Sequence, residues 1–262
     1  MKKAKMFVAI LALVLVTFFT KGLQAEVIRI GTDKWPPHED IFNLEAPGFC
    51  TEVVRAVFKR MGVAITITQY PWSRAVDFVF KGRNDALFCA LFSEERARFC
   101  HYPEAAITTL KYLLFIKKEN VGTLTFNTYD DLKGKRIGIV RGFAYPVEFS
   151  NFVETEKNAQ AVENDGYNFQ KLMAGRIDYV IADNANAMLI IREMGLTGKV
   201  VPISSKVILE SDLNLIFSKK TVTEAFVKKF SHALDAYKKE AAYGKIWEKY
   251  YGPVYPGGRD GE

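Results

Sequence analysis

Cysteine, histidine and long apolar runs are scarce in this chain, and each scarcity removes a class of function. Cys50, Cys89 and Cys100 are the only cysteines, and none belongs to a Cys-x-x-Cys pair. An odd count allows at most one intramolecular disulfide and leaves a thiol over, and the sequence does not say whether any two of them close. His38, His101 and His232 are scattered singly, so no set of residues has zinc-ligand spacing. No metal and no other cofactor is expected. Gly-x-Ser-x-Gly, His-Glu-x-x-His and a Walker loop are missing as well. Glu52, Glu148 and Asp183 are carboxylates without an identifiable acid-base partner, so the expectation is binding without catalysis.

Basic charge is also thinner than it looks. The formal charge of +6 includes Lys2, Lys3, Lys5 and Lys21, and the first residues read as a removable leader. They have a basic start, an apolar run from Phe7 to Phe19, and Leu23-Gln24-Ala25 as a small-residue exit before Glu26. The run falls short of the ~20 residues that span a bilayer, and Lys21 ends it. No cysteine stands near the exit to carry a lipid. Cleavage near Ala25 would leave 237 of the 262 residues with a charge of +2, a poor match for nucleic acid. With about half its residues apolar and no second long apolar run, the remainder can bury one large core or two modest ones. The reading is a secreted protein.

Along the chain, β-branched apolar segments alternate with amphipathic stretches, which is an α/β signature. Strands are expected at Val27–Gly31, Val63–Tyr70, Asp85–Phe88, Tyr112–Lys117, Arg136–Val140, Ile177–Ala182 and Leu213–Phe217. Helices are expected at Phe49–Met61, Ser73–Phe80, Asn168–Met173 and Ala185–Met194, followed by a long helical tail over Thr221–Tyr251 interrupted at Tyr243-Gly244. The polar stretch Lys118–Thr128 reads as a change of lobe. Pro253–Glu262, rich in glycine and proline, reads as a loosely held end.

Several motifs, taken in order, resemble the family 3 extracellular solute-binding proteins, the receptors of polar amino-acid ABC transporters. Ile30-Gly31-Thr32-Asp33 with Trp35-Pro36-Pro37 is similar to the family's opening strand and aromatic loop. Gly82-Arg83-Asn84-Asp85-Ala86 and Ser93-Glu94-Glu95-Arg96 resemble its third strand and arginine turn. Asp131-Leu132-Lys133-Gly134-Lys135 through Arg141-Gly142 resembles the start of the second lobe, and Ala174-Gly175-Arg176-Ile177-Asp178 through Asp183 its ligand-facing strand. Tyr243-Gly244-Lys245-Ile246-Trp247 with Tyr251-Gly252 resembles the closing helix.

The resemblance implies a periplasmic binding protein type II fold, with two α/β lobes joined by a two-strand hinge. It divides the chain into a signal peptide over 1–25, a first lobe over 26–113, a second lobe over 114–213 and a return to the first lobe over 214–262. The crossing strands are expected near Lys111–Ile116 and Ser211–Ile216. A small ligand, amino-acid-like, would be held between the lobes of a monomer and passed to an inner-membrane ABC permease. A ligand sensor for a membrane receptor is the alternative, and a dehydratase-like enzyme on the same fold a remoter one.

Ten side chains carry the expected site. Arg96 offers a planar fork to a carboxylate, and Asp183, otherwise a helix N-cap, would take an amino group. Trp35 and Trp72 would wall the pocket, with Trp35 held in an extended loop by the prolines after it. Arg74 lies on the first turn of the helix that Trp72 begins and faces either the cleft or the acids Asp77 and Asp33. Arg141, Gly142 and Phe143 form the second-lobe loop, and Leu91 and Phe92 precede the arginine turn. Two departures stand out. Phe143 replaces the family's usual Ser or Thr, and Leu91-Phe92 replace a Thr-rich segment, so a hydroxyl donor is missing unless Arg141 or backbone N–H groups substitute. Phe143, Phe92 and Tyr145 would make the pocket flatter and more aromatic.

Overall fold

A computed structural model describes residues 27–203 and 207–252. The leader ending near Ala25 and the Pro253–Glu262 tail lie outside the described residues.

The chain opens with a βαβαβ run. Strand β1 (Ile28–Thr32) pairs in parallel with β2 (Ile65–Gln69) on one side and β3 (Ala86–Ala90) on the other, with helix α1 (Phe49–Met61) and helix α2 (Trp72–Lys81) as the connections. Apolar spacing decides α1. Val53, Val54, Val57 and Phe58 form one stripe and are fully buried, and Gly62 ends the helix in the left-handed conformation that closes its last turn. Strand β3 reads Ala-Leu-Phe-Cys-Ala and is buried on both faces, as a continuous apolar run in a covered parallel sheet should be. A short helix α3 (Glu94–Phe99), capped by Ser93, and a two-residue strand β4 (Cys100–His101) come next.

Strand β5 (Thr108–Lys117) then leaves this sheet. The second lobe comprises β6 (Ile137–Val140), α4 (Val147–Glu156), β7 (Ala159–Val162), α5 (Asp165–Met173), β8 (Tyr179–Asp183), α6 (Asn184–Glu193) and β9 (Val200–Pro202). Strand β10 (Leu209–Ser218) returns, and α7 (Glu224–Lys238) and α8 (Ala241–Tyr251) close the first lobe. The sheet order β2-β1-β3-β10-β5-β8-β6-β7 shows where the lobes meet. Leu209–Leu213 of β10 pairs antiparallel with Thr108–Tyr112 of β5; beyond these residues β10 pairs with β3, and β5 with β8 and β9. The molecule is thus two α/β lobes joined by two crossing strands. Their mutual pairing starts two to three residues before the stretches expected, and on that edge β5 passes to β9 from Phe115 onward.

The helical tail also differs from expectation. It breaks at Lys239-Glu240, not at Tyr243-Gly244, which lie inside α8. The Tyr243 hydroxyl donates to the Ile107 carbonyl at 2.7 Å and its ring meets Phe49 edge-on. That anchorage fixes α8 against the first-lobe core, so the turn comes before it. Helices α3 and α4 and strands β4, β7 and β9 were not anticipated; all but α4 are short, and α4 fully buries only Phe149, so no apolar stripe marks it.

Candidate ligand cleft

The loop after β1 forms the first wall. Trp35 and Glu39 face each other across a tight turn, the Trp35 N–H donating to the Glu39 carbonyl at 2.8 Å, and this folds Asp33, Trp35, His38 and Glu39 inward. Glu39 is fully buried. It accepts from the Thr32 hydroxyl and, at 3.4 Å, from the Cys89 N–H. Burial pushes the Glu39 carboxyl well above its ordinary range, and the neighbouring Asp33 pushes it further; burial raises Asp33 too. Asp33 Oδ1 and Glu39 Oε1 each lack a donor, which one proton shared between two adjacent carboxyls supplies.

Arg96 forms the floor. Ser93 caps α3 by accepting from the Arg96 N–H at 3.2 Å, and the guanidinium folds back into the cleft, 5 % exposed. It donates to the Leu91 carbonyl at 2.9 Å and, across the cleft, to the Gly142 carbonyl at 3.0 Å, and it lies 5.1 Å from the centre of the Trp72 ring. Burial lowers its pKa from the ordinary value. Among the described residues no carboxylate forms an ion pair with it.

The second wall comes from the other lobe. Gly142, after β6, turns its carbonyl toward both Arg96 and the indole N–H of Trp72, the latter at 3.0 Å. Phe143 packs between Trp35 and Trp72, with ring centres 5.4 and 6.2 Å away. Asp183 ends β8 and caps α6, accepting from the Asn186 N–H at 2.9 Å; the same oxygen meets His38 Nε2 at 2.8 Å. His38 Nδ1 in turn lies 2.6 Å from the Tyr251 hydroxyl, so the ring joins Asp183 on one side to Tyr251 on the other. Asp183, His38 and Tyr251 therefore tie the second lobe to the first-lobe loop and to the last helix. Asn186 adds a contact to the Pro36 carbonyl.

These contacts shut the cleft. The cavity between the walls, lined by Asp33, Trp35, Trp72, Cys89, Leu91, Arg96, Tyr112, Phe143 and Ala144, measures about 10 Å³, room for about one water. A ligand the size of an amino acid enters only when the lobes part about β5 and β10.

Of the ten expected residues, Trp35, Trp72, Leu91, Arg96 and Phe143 come together around this cavity, and Gly142 borders it through its carbonyl. The other four lie elsewhere. Arg141 points to solvent and pairs with Glu163 at 2.8 Å, so it supplies no donor to replace the missing hydroxyl. Phe92 is 59 % exposed and packs on Tyr102, outside the pocket. Arg74 is exposed on α2. Asp183 lines a wider groove on another side, together with His38, Tyr251 and α6. Tyr145, expected to add to the pocket's aromatic character, is instead pinned beneath it, its hydroxyl accepting from the Val140 N–H. Sequence reasoning missed Asp33 and Glu39 as a pair, His38, Tyr112 and Asp165. The first three occupy one seven-residue loop, where a run of polar residues after a buried strand was the available signal. Tyr112 and Asp165 gave none, since one reads as strand and the other as a helix start.

Residues 28–253 match the model of the bacterial extracellular solute-binding proteins, family 3. The chain belongs to that family. Among the relatives of this solute-binding protein is ABC transporter arginine-binding protein 1 of Escherichia coli (strain K12), 26 % identical over 255 residues, covering 92 % of this chain and 98 % of the relative. In fold it is similar to a histidine kinase sensor domain resembling periplasmic binding proteins, with a TM-score of 0.75, 23 % identity, and coverage of 89 % of this chain and 99 % of the other. It is also similar to an ancestral arginine-binding protein bound to arginine, with a TM-score of 0.70, 23 % identity, and coverage of 86 % and 98 %. No helix among the described residues is long and apolar enough to cross a membrane.

Proposed function

We propose that this solute-binding protein captures an amino acid or a related small carboxylate between its lobes, in the periplasm after loss of a leader near Ala25, and delivers it as a monomer to an inner-membrane ABC permease without altering it. The observation that carries this reading is Arg96. A guanidinium buried at the floor of an interlobe cleft, bonded only to two carbonyl oxygens and free of any acidic partner among the described residues, is a seat for a carboxylate. Trp72 stacked on it and Gly142 above it restrict the entering group to a planar one. The named ligand of the arginine-binding relative supports an amino acid as the class. For the lobes, the changes of strand partner near Tyr112 in β5 and Leu213 in β10 support boundaries close to residues 113 and 213.

Calorimetry of wild type and Arg96→Ala tests the reading. The variant is expected to lose a carboxylate ligand by at least about 30-fold, the lower end for truncating one partner of a buried charge pair. Unchanged affinity would remove Arg96 from the site. Recovery of the ligand unchanged after incubation tests the absence of chemistry, and stimulation of uptake by a reconstituted permease distinguishes transport from sensing.

A further inference from the structure

Cys50, Cys89 and Cys100 are all buried thiols in this structure, and the reading of Arg96 gives none of them a part. The first-lobe sheet sorts them. Cys50 sits in the first turn of α1 and belongs to the cluster that α1 forms with Phe88 on one face of the sheet. Cys100 belongs to the cluster on the other face, where α2 packs Ala75 and Val79 against Leu87 and Ile216. A bond between Cys50 and Cys100 would have to pass through the sheet.

Alternation along β3 would put Cys89 on the α2 face as well, since side chains of a strand point to opposite faces in turn and Ala86 and Phe88 face α1. The pairing of β3 with β10 is irregular at this point. Leu215 stands opposite Phe88 and Asn214 opposite Ala90, which leaves Cys89 as an extra residue with no partner across the ladder. A bulge of this kind re-aims the side chains beside it. Cys89 and Leu91 accordingly join Phe88 in the α1 cluster, while Ala90 joins Leu87 in the α2 cluster.

The loop after β1 holds both residues that now share a face. The Cys50 N–H donates to the His38 carbonyl at 2.9 Å, and the Cys89 N–H to the carboxylate of the next residue, Glu39, at 3.4 Å. The two thiols are in hydrogen-bonding contact. A thiol is a weak donor and a weak acceptor, so that contact gains little against a bulge that interrupts the ladder.

From this placement we infer that Cys50 and Cys89 form a disulfide in the exported protein and that Cys100 remains its single thiol. The family is extracellular, and disulfides form and persist outside the cytoplasm. Bond formation takes two exchange steps. One thiolate attacks the disulfide of an oxidised dithiol carrier and releases one carrier thiol; the other attacks the resulting mixed disulfide and releases the second. The carrier thus gains the two electrons and two protons that Cys50 and Cys89 lose. Burial, with Cys50 adding to it, pushes the folded Cys89 thiol well above its ordinary range, and the thiolate is the reacting form. The exchange therefore belongs to folding, before α1 covers β3. Once made, the bond ties the start of α1 to the strand that leads into the Arg96 turn, and it closes a loop containing α1, β2 and α2.

The test uses the mature chain, exported to the periplasm of a host behind a secretory leader and purified without reductant. Denatured in urea and alkylated before any reduction, wild type should take up one label per chain, on Cys100, and an unreduced digest should contain a peptide pair joining Cys50 to Cys89. Cys100→Ser should take up none. Three labels in wild type, or a crosslinked peptide that includes Cys100, would overturn the inference, and because the chain is denatured the count does not depend on how well a variant folds. Urea unfolding gives a second readout. Reduction in the denatured state, maintained through refolding, should lower the wild-type midpoint by about 1 M and leave that of Cys89→Ser where it was. An equal fall in Cys89→Ser would place the sensitive bond elsewhere and overturn the assignment. No ligand enters either measurement, so the outcome is independent of the Arg96 reading.

Discussion

The two lobes begin alike and end differently. Each has a strand with an arginine in it or just before it that clamps an aspartate just ahead of a later strand in the same sheet. Arg29 gives its backbone N–H and Nε to Asp85 Oδ2, at 2.9 and 2.8 Å, and its Nη2 to Oδ1 at 2.7 Å. Arg136 does the same to Asp178, at 2.8, 3.0 and 2.8 Å. Beyond the clamps the two loops diverge. The first-lobe loop folds Asp33, His38 and Glu39 inside, whereas the second-lobe loop sends Arg141 out to Glu163 and presents a carbonyl and a phenyl ring. A common strand-and-clamp frame thus leaves the loops free to differ, and chemistry sits in the difference. The first lobe supplies donors for an anion and a shared acid, and the second supplies a flat lid with one more buried acid behind it.

The largest effect expected from this contrast is on the pH dependence of stability. Burial, reinforced by Asp183 and Asp33 and opposed by the Trp35 N–H, pushes Asp165 up to about 8 from an ordinary value near 3.8. Between pH about 4 and 8 the unfolded chain therefore ionises this carboxyl while the folded chain keeps its proton, and stability falls as pH rises. Above about 8 both forms are ionised and the fall stops. The span corresponds to on the order of 5 kcal/mol at most. The clamp carboxylates work in the opposite sense. Burial alone would raise Asp85, but the Arg29 hydrogen bonds prevail and hold it below its ordinary range, and those of Arg136 hold Asp178 there; their stabilisation is lost only as pH drops through and below about 4. Thermal melts should fall by on the order of 10 °C from pH 5 to pH 8 in ligand-free wild type and by less in Asp165→Asn, where the raised Asp33 and Glu39 carboxyls keep a fall of the same sign. A slope unaltered in the variant would place the sensitivity in the first lobe, with Asp33 and Glu39.

Next in size is the seat of the first-lobe loop. Gly48 precedes α1 with φ of 103°, and a Cβ there would stand 2.4 Å from both the Glu39 Cα and the His38 carbonyl oxygen. Backbone cannot yield as a side chain tip can, and the conformation itself is costly for any other residue. Gly48→Ala should destabilise by about 3 kcal/mol or more, read by urea unfolding, and should loosen the Asp33–Glu39 pair before it touches the second lobe. The second-lobe loop, which has no such crossing beneath it, should accept substitution of its exposed residues far more readily.

Much of the frame was legible from sequence and much of the site was not. Helix α1 emerged with its observed ends because an apolar stripe and a terminal glycine mark it, and the fully buried strands β3 and β8 read as apolar runs. Arg96, Trp35, Trp72 and Phe143 were singled out through the motifs that resemble the family's, and the fold gathers them round one cavity. Asp165 and Tyr112 were not singled out, because a buried acid at a helix start looks like an ordinary first-turn carboxylate and a buried tyrosine in a strand looks like core. Only the folded arrangement shows that their polar atoms have no partner. The same limit displaced Asp183, since nothing local indicates that His38, 145 positions earlier, reaches it.

The paired clamps allow a direct measure of how burial weights the same geometry. The Asp85 side chain is 10 % exposed and that of Asp178 25 %, with the arginines about equally exposed at 50 % and 47 %. Asp85→Ala removes hydrogen bonds from a charged acceptor in the less exposed setting and should cost about 2 kcal/mol in urea unfolding, discounted from the fully buried case because water screens Arg29. Asp178→Ala should cost less. Equal costs would mean that both clamps act mainly by fixing the backbone N–H groups of Arg29 and Arg136, a contribution that does not depend on screening.

The smallest effect belongs to Arg141, and its smallness is informative. In sequence it stands beside Gly142 as an apparent substitute for the family's missing hydroxyl, yet its guanidinium is 64 % exposed and its partner Glu163 equally so. An ion pair of that exposure contributes little, and nothing connects it to the cavity. Arg141→Ala should leave ligand affinity within about twofold and stability within about 0.5 kcal/mol, measured by the same calorimetry that reads Arg96→Ala. A large loss of affinity would mean that the second-lobe loop reverses when a ligand enters, swinging Arg141 inward and Phe143 out, so that the two lobes would hold a carboxylate by matching arginines in place of an arginine and a flat lid.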